Sequence, residues 1–198
     1  MTFTVYGDSL SGNCLKVKWL ADHLGLSYRW AEVNVLKGEA KAAAFLAINP
    51  AGQVPAVRFD DGRQLAQSNA ILLYLAEGTG LVPADPFARA LMFQWLFWEQ
   101  YSHEPVIAVR RFHRFYLNKP DAEIDPSLMV KGVAVLGLMD RVLSAQDWFV
   151  ATGFSLADIA LVAYTRFAHQ GGFDLSPYAH IRAWITRVEA ELGLPPVT

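Results

Sequence analysis

The chain has 198 residues, of which 53% are hydrophobic and 18% charged, and its formal net charge is −2. That composition supplies ample material for a core and excludes a disordered chain, while the charge argues against non-specific nucleic-acid binding. Cys14 is the single cysteine, so no intrachain disulfide can form, which suits a reducing compartment.

The elements follow in chain order. Residues 3–6 read as a strand. Residues 11–24 read as a helix with Leu15, Leu20 and Leu24 on its apolar side, ended by Gly25. Tyr28 to Val33 alternates as a second strand, and a loop with a short helix covers Lys37 to Leu46. A strand over Pro55–Phe59, a turn at Asp60-Asp61-Gly62 and a return strand over Arg63–Ala66 make a hairpin. A helix from Ser68 closes this unit near Glu77. Beyond a Gly/Pro-rich stretch (Gly78-Thr79-Gly80, then Pro83-Ala84-Asp85-Pro86) only helical patterns appear. Asp85 caps a helix carrying Phe87, Leu91, Trp95 and Trp98, which Pro105 should kink or break. Asp125-Pro126 starts another helix running through Leu143. Ser155-Leu156-Ala157-Asp158 is a near match to a capping box. A last helix covers about Tyr178 to Leu192.

The expected class is α/β plus all-α. A βαβββα domain over 1–77 and a linker over 78–86 precede an all-helical domain over 87–198. The start of the chain leads straight into a strand-like run, without the regions of a secretory signal. No apolar run reaches membrane-spanning length, since Gln94 and Glu99 flank Trp95–Trp98. A soluble cytoplasmic protein with neither membrane nor nucleic acid as partner is expected.

Two segments carry most of the functional signal. Asn49-Pro50-Ala51-Gly52-Gln53-Val54-Pro55-Ala56-Val57 reads as a turn entering a strand through a Val-Pro bond, a place that suits a cis peptide. A cis bond there leaves the N–H and C=O of Val54 pointing outward, able to pair with an extended peptide. Gln67-Ser68-Asn69-Ala70-Ile71 reads as a helix opening on polar donors, whose N–H groups suit a carboxylate. Together they point to a site for a small, negatively charged peptide; the alternative is a turn and a helix cap with no ligand.

This pairing resembles the N-terminal domain of cytosolic glutathione S-transferases. The resemblance extends from Phe3-Thr4-Val5-Tyr6-Gly7 to Ser155-Leu156-Ala157-Asp158-Ile159-Ala160, with separated motifs in the right order. It implies a thioredoxin-like N-terminal domain and glutathione as co-substrate, with no metal. In that family the bond matching Val54-Pro55 is cis, and the backbone before it pairs with the cysteinyl unit of glutathione. The positions of Gln67 and Ser68 hold the γ-glutamyl end. Lys41 and Gln53 match positions reaching the glycyl carboxylate. The histidine found in many relatives before that lysine is Ala40 here, which removes one carboxylate contact; Lys41 also reads as a solvated helix residue. Gln67 replaces an acid common in serine-type relatives, so it accepts from the γ-glutamyl ammonium with less charge attraction.

Ser11-Gly12-Asn13-Cys14 sits where the first strand turns into the first helix. Thioredoxin-like redox proteins carry Cys-x-x-Cys there, the first cysteine being the nucleophile. A serine in that place argues against dithiol chemistry and suits a hydroxyl that donates to a thiolate brought by the substrate. Its position matches the catalytic serine of theta-, phi- and zeta-like transferases. On residue type alone, Ser11 is an N-cap. Asn13 either supports this chemistry, by orienting Ser11 or donating to the thiolate, or is a turn residue. Cys14 is either a reactive thiol at a helix N-terminus or, as we favour, a small buried hydrophobe.

For the second substrate, an apolar electrophile, Tyr101, Ala108 and Phe112 have helical spacing on one face, with Tyr6 or Leu10 from the first domain. Core filling is an equal reading of positions this aromatic. His103-Glu104 lacks the second histidine of a zinc-protease motif, because position 107 is Ile. Arg110, Arg111, His113 and Arg114 read as an amphipathic helix showing its charges to water. The expected protein is thus a bacterial, serine-type, theta/phi-like transferase, a homodimer as the family usually is. The alternatives are a catalytically inactive interaction module of the same fold and a glutathione-dependent isomerase or dehalogenase.

Overall fold

The computed structural model describes residues 2–197. The chain divides into two compact units that meet at Thr79 and Gly80. In the first, strands β1 (Phe3–Gly7), β2 (Tyr28–Glu32), β3 (Ala56–Phe59) and β4 (Gln64–Ala66) form one sheet in the order β2-β1-β3-β4. β1 runs parallel to β2 and antiparallel to β3, and β3 is antiparallel to β4. Helices α1 (Gly12–His23) and α3 (Ser68–Leu75) lie against one another, while α2 (Ala43–Leu46) follows a short 3-10 turn at Glu39–Lys41.

The alternation along β1 sorts the two faces. Phe3 and Val5 are wholly buried, as are Val57 of β3, Val17 and Leu20 of α1, and Ile71 and Leu72 of α3. On the other side Val33, Ala40, Phe45 and Ala56 form a second cluster, against which Tyr6, Ile48, Val54 and Ala66 pack. The buried stripe of α1 runs through Cys14, Val17, Leu20 and Ala21. The sequence reading put Leu15 and Leu24 on this face, but both are only half-buried. Gly7 permits close approach of α1: a Cβ there would stand 3.1 Å from that of Cys14 and 2.7 Å from the Trp30 ring.

The second unit is helical throughout its described residues: α4 (Pro86–Trp98), α5 (Glu104–Arg111), α6 (Pro126–Leu143), α7 (Leu156–Thr165) and α8 (Ala179–Leu192). All ten residues of α7 are buried, as befits a helix apolar on every side. Its start is the expected capping box, and Asp158 also accepts from the Phe149 N–H and the Trp184 indole at 3.1 and 2.9 Å. Burial pushes the Asp158 carboxyl up to about 6 against these hydrogen bonds. Asp85 and Asp125 cap α4 and α6 as expected, each with proline just inside the helix.

One sequence expectation fails in this unit, that for Arg110 and Arg111. The helix begun at Asp85 does not continue unbroken through Pro105: α4 ends at Trp98 and α5 begins at Glu104, just before Pro105. A π-helical turn, Glu99–His103, precedes it, Pro105 sits in the first turn of α5, and a second π turn follows at Phe112–Tyr116. Arg110 and Arg111 do not face water; they are 4% and 3% exposed. Arg110 pairs with Asp121 at 2.9 Å, and the Arg111 Nε donates to Gln170 at 2.6 Å. The Arg111 guanidinium also lies over the rings of Phe115, Tyr116 and Phe167. No helix among the described residues is long and apolar enough to cross a membrane.

Candidate functional site

Strand direction gathers four connections at one end of the sheet. β1 and β2 both finish there, at Gly7 and Glu32. β3 begins there, with Ala56 opposite Tyr6, and β4 ends there, with Ala66 opposite Ala56. Ser11, the Asn34–Lys41 connection, Val54-Pro55 and Gln67-Ser68 therefore emerge at the same edge, although the sequence scatters them over nearly sixty positions. The Val54-Pro55 peptide is cis. The ladder with β1 starts only at Ala56, so Val54 lies outside it.

Ser11 stands at the N-cap of α1 in extended conformation, yet its side chain makes no capping hydrogen bond. Its hydroxyl instead bonds the Cys14 sulfur, which also accepts from the Asp8 N–H at 3.3 Å. Cys14 is wholly buried, and that burial pushes its thiol up to about 12 despite the hydrogen bonds from Ser11 and Asp8. Of its two sequence readings, the buried hydrophobe is the one the fold adopts. Asp8 braces the loop around Ser11. Its carboxylate accepts from Leu10 N–H at 2.9 Å and Val35 N–H at 3.3 Å, and its carbonyl accepts from Ser11 N–H at 3.0 Å. The sequence reading passed over Asp8. An Asp two residues before the loop apex is the signature of an Asx turn and could have singled it out.

Asn13 and Ser68, 55 positions apart, meet at 3.2 Å through the Ser68 hydroxyl and Asn13 Oδ1. The same oxygen accepts from the Lys16 ammonium at 2.8 Å. Ser68 is the buried first residue of α3, and the exposed Gln67 before it holds φ 70° and ψ 114°. A non-glycine residue in that region costs about 1–3 kcal/mol, and such outliers concentrate at ligand sites.

Lys41 and Gln53 share one corner. The Lys41 ammonium donates to the Ala51 carbonyl at 3.2 Å, and Asn49 donates to the Gln53 carbonyl at 2.7 Å. Gly52, at φ 61°, makes room for the lysine: a Cβ there would lie 2.8 Å from its Nζ. Ala40 is buried in the second core cluster.

The apolar candidates separate by exposure. Tyr101 is 87% exposed, Leu10 48% and Phe112 38%, whereas Ala108 is 7% exposed. Tyr6 sets its ring edge-on to Phe45, 6.4 Å away. Tyr101 and Ala108 thus differ sharply in exposure, and the π turn Glu99–His103, which contains Tyr101, departs from the 3.6-residue phase on which their pairing was expected. His103 is buried and bonds Thr165 at 2.9 Å, and no group of metal-ligating side chains occurs among the described residues.

Comparison with known proteins covers nearly the whole chain. Residues 10–77 match the model of the glutathione S-transferase N-terminal domain, and residues 97–191 match that of the C-terminal domain. A glutathione S-transferase from Pseudomonas fluorescens Pf-5, known from its crystal structure, is similar with a TM-score of 0.92 and 45% identity; the match covers 95% of this chain and 94% of that one. Glutathione S-transferase D7 of Anopheles gambiae is 30% identical across 97% of this chain and 88% of its own length. Glutathione S-transferase theta-1 of Rattus norvegicus is 31% identical across 98% and 85%.

Proposed function

Because the chain belongs to the glutathione S-transferase family, we propose that it activates the thiol of glutathione through Ser11 for attack on an apolar electrophile. The chain is a transferase whose co-substrate is glutathione. In this reading glutathione lies extended along Val54 and Pro55, its γ-glutamyl end at Gln67 and Ser68. Its glycyl carboxylate reaches Lys41 and Gln53, and Asn13 supports the thiolate side. The observation that carries the role of Ser11 is its N-cap position without a capping hydrogen bond. The hydroxyl is not spent on the helix backbone, and a thiolate is a stronger acceptor than the protonated Cys14 sulfur it otherwise meets.

The magnitudes are sufficient. A free thiol titrates near ~8.5, and lowering that by ~1.5–2 units requires roughly 2–2.7 kcal/mol. One hydrogen bond to a charged group contributes about 1.5–3 kcal/mol, and the N-terminus of α1 adds about 0.3–1 kcal/mol. No separate general base is needed. The thiolate sulfur bonds the electrophilic carbon and the leaving group departs with the bonding electron pair; on addition to an activated double bond, the resulting carbanion takes a proton. Within the helical unit Tyr101 and Phe112 are exposed apolar side chains, and they are proposed to meet the electrophile. The same reading places the protein in the cytoplasm, where thiols stay reduced, and takes it as a homodimer.

The test is an ultraviolet titration of bound glutathione, wild type beside Ser11→Ala. A thiol pKa depressed by ~1.5–2 units that returns towards ~8.5 in the variant is the expected result. Binding with an unshifted pKa would remove Ser11 from the chemistry. Absence of binding would make the protein an interaction module of the same fold.

A further inference from the structure

Asp8 is only 5% exposed, and its carboxylate serves two separate segments. Oδ1 accepts the N–H of Leu10 at 2.9 Å, in the loop that presents Ser11. Oδ2 accepts the N–H of Val35 at 3.3 Å, in the Asn34–Lys41 connection. A buried carboxylate is tolerated where N–H groups take up its oxygens. Among side chains of this length, only a carboxylate offers two acceptors and no donor. Asparagine would turn its NH2 group on one of the two backbone N–H groups.

The connection reached through Val35 is closed on itself. The Asn34 N–H donates to the Glu39 carboxylate at 2.7 Å, and the Glu39 N–H donates to the Asn34 carbonyl at 3.2 Å. The Lys37 N–H donates to Asn34 Oδ1 at 2.9 Å, and the Lys41 N–H to the Gly38 carbonyl at 2.8 Å. A segment bonded internally in this way moves as one piece, so a tie at Val35 also locates its far end at Lys41. One carboxylate therefore sets Ser11 relative to Lys41.

We propose that Asp8 is a positioning residue that fixes the spacing between Ser11 and Lys41, so that the site selects a peptide whose carboxylate lies one residue beyond its cysteine. This rests on the reading of this end of the sheet as a glutathione site. Asp8 touches no reacting atom; it acts through the two segments it joins.

Calorimetric titration of glutathione and of γ-glutamylcysteine, which is glutathione without its glycine, into wild type and Asp8→Asn tests it, with circular dichroism to confirm folding. The asparagine oxygen should keep the shorter bond, to Leu10, and leave Val35 facing the NH2 group. Folded Asp8→Asn should bind glutathione roughly ten-fold more weakly, the loss of one hydrogen bond to a charged group. Its affinity for γ-glutamylcysteine should be unchanged. The pKa of the bound glutathione thiol should not rise, because the Ser11 loop keeps its brace and a negative charge beside it is gone; general loosening would raise it. On a Lys41→Ala background, Asp8→Asn should weaken glutathione no further. Wild-type affinity for glutathione in Asp8→Asn, equal weakening of both peptides, a raised thiol pKa, or full additivity with Lys41→Ala overturns the inference and leaves the proposed function standing. If Asp8→Asn does not fold, hydrogen exchange of the wild type decides. Glutathione, unlike γ-glutamylcysteine, should then slow exchange of the Val35 amide, because binding at Lys41 and the tie to Asp8 are linked; equal effects of the two peptides overturn the inference. Failure of the wild type itself to bind glutathione would instead overturn the proposed function, and the role of Asp8 with it.

Discussion

The backbone N–H of Asp8 donates to the sulfur of Cys14 at 3.3 Å, tying the end of β1 to the first turn of α1. Ser11 lies between the two, its N–H on the Asp8 carbonyl and its hydroxyl on that same sulfur. The sulfur is wholly buried and holds its proton, so it should not react with thiol reagents in the native state. A disulfide-exchange assay near neutral pH should detect no thiol in the folded protein and one per chain in denaturant. Rapid modification of native protein would show that the first turn of α1 opens readily.

The same thiol makes stability depend on alkaline pH. Its pKa rises from 9.0 in a free chain to about 12 in the fold, chiefly through burial. Above pH 9 the unfolded chain gives up this proton while the folded one keeps it, so raising the pH favours unfolding. The contribution is therefore fully present below pH 9 and is lost as pH climbs towards 12. Urea midpoints measured across that window should fall more steeply for wild type than for Cys14→Ala. Parallel curves would mean that the thiol is hydrated in the native state.

Ser11→Cys should convert one sulfur chemistry into another. A cysteine at the N-cap of α1 is activated by the helix end, and it would attack glutathione disulfide to form a mixed disulfide and release one glutathione thiol. Resolution by Cys14 requires its thiolate, which burial suppresses. The adduct should accumulate, visible by mass spectrometry and reversed by dithiothreitol, while conjugation activity is lost. A variant that conjugates like wild type and traps no glutathione would show that Ser11 has no part in activation.

Much of this was legible in the sequence because it rests on local chemistry. The Ser155–Asp158 box, the Asp-Pro starts of α4 and α6, the Asp60-Asp61-Gly62 turn and the apolar repeat of α3 each need only neighbouring residues. What escaped depends on distant partners. Arg111 is buried because Gln170 and Phe167 close over it, and nothing within its own helix announces them. The contact of Ser68 with Asn13 joins residues 55 positions apart, which no local pattern announces. The π turn at Glu99–His103 leaves no mark in the composition of the helical run, and Tyr101 within it differs sharply in exposure from Ala108 beyond it. At the candidate site the connections that gather at one end of the sheet were legible, while the bracing of the Ser11 loop by Asp8 was not.

Gln67 separates binding from stability. Its φ of 70° costs a side-chain-bearing residue about 1–3 kcal/mol. Glycine adopts that region freely, at an entropic cost of about 0.5–1 kcal/mol in the unfolded chain. The difference favours Gln67→Gly by about 1 kcal/mol, whereas Gln67→Val, branched at Cβ, should be less stable than wild type. The exposed side chain of Gln67 can accept from the γ-glutamyl ammonium, a hydrogen bond worth about 1.5–3 kcal/mol. Its removal should weaken glutathione roughly ten-fold or more. Urea denaturation and calorimetric titration of the same glycine variant should therefore move in opposite directions, stability up and affinity down. A glycine variant both less stable and unchanged in affinity would mean that this backbone carries no strain and that Gln67 holds no ligand. A variant stabilised with full affinity would leave the strain real and assign the γ-glutamyl contact to Ser68 and the start of α3 alone.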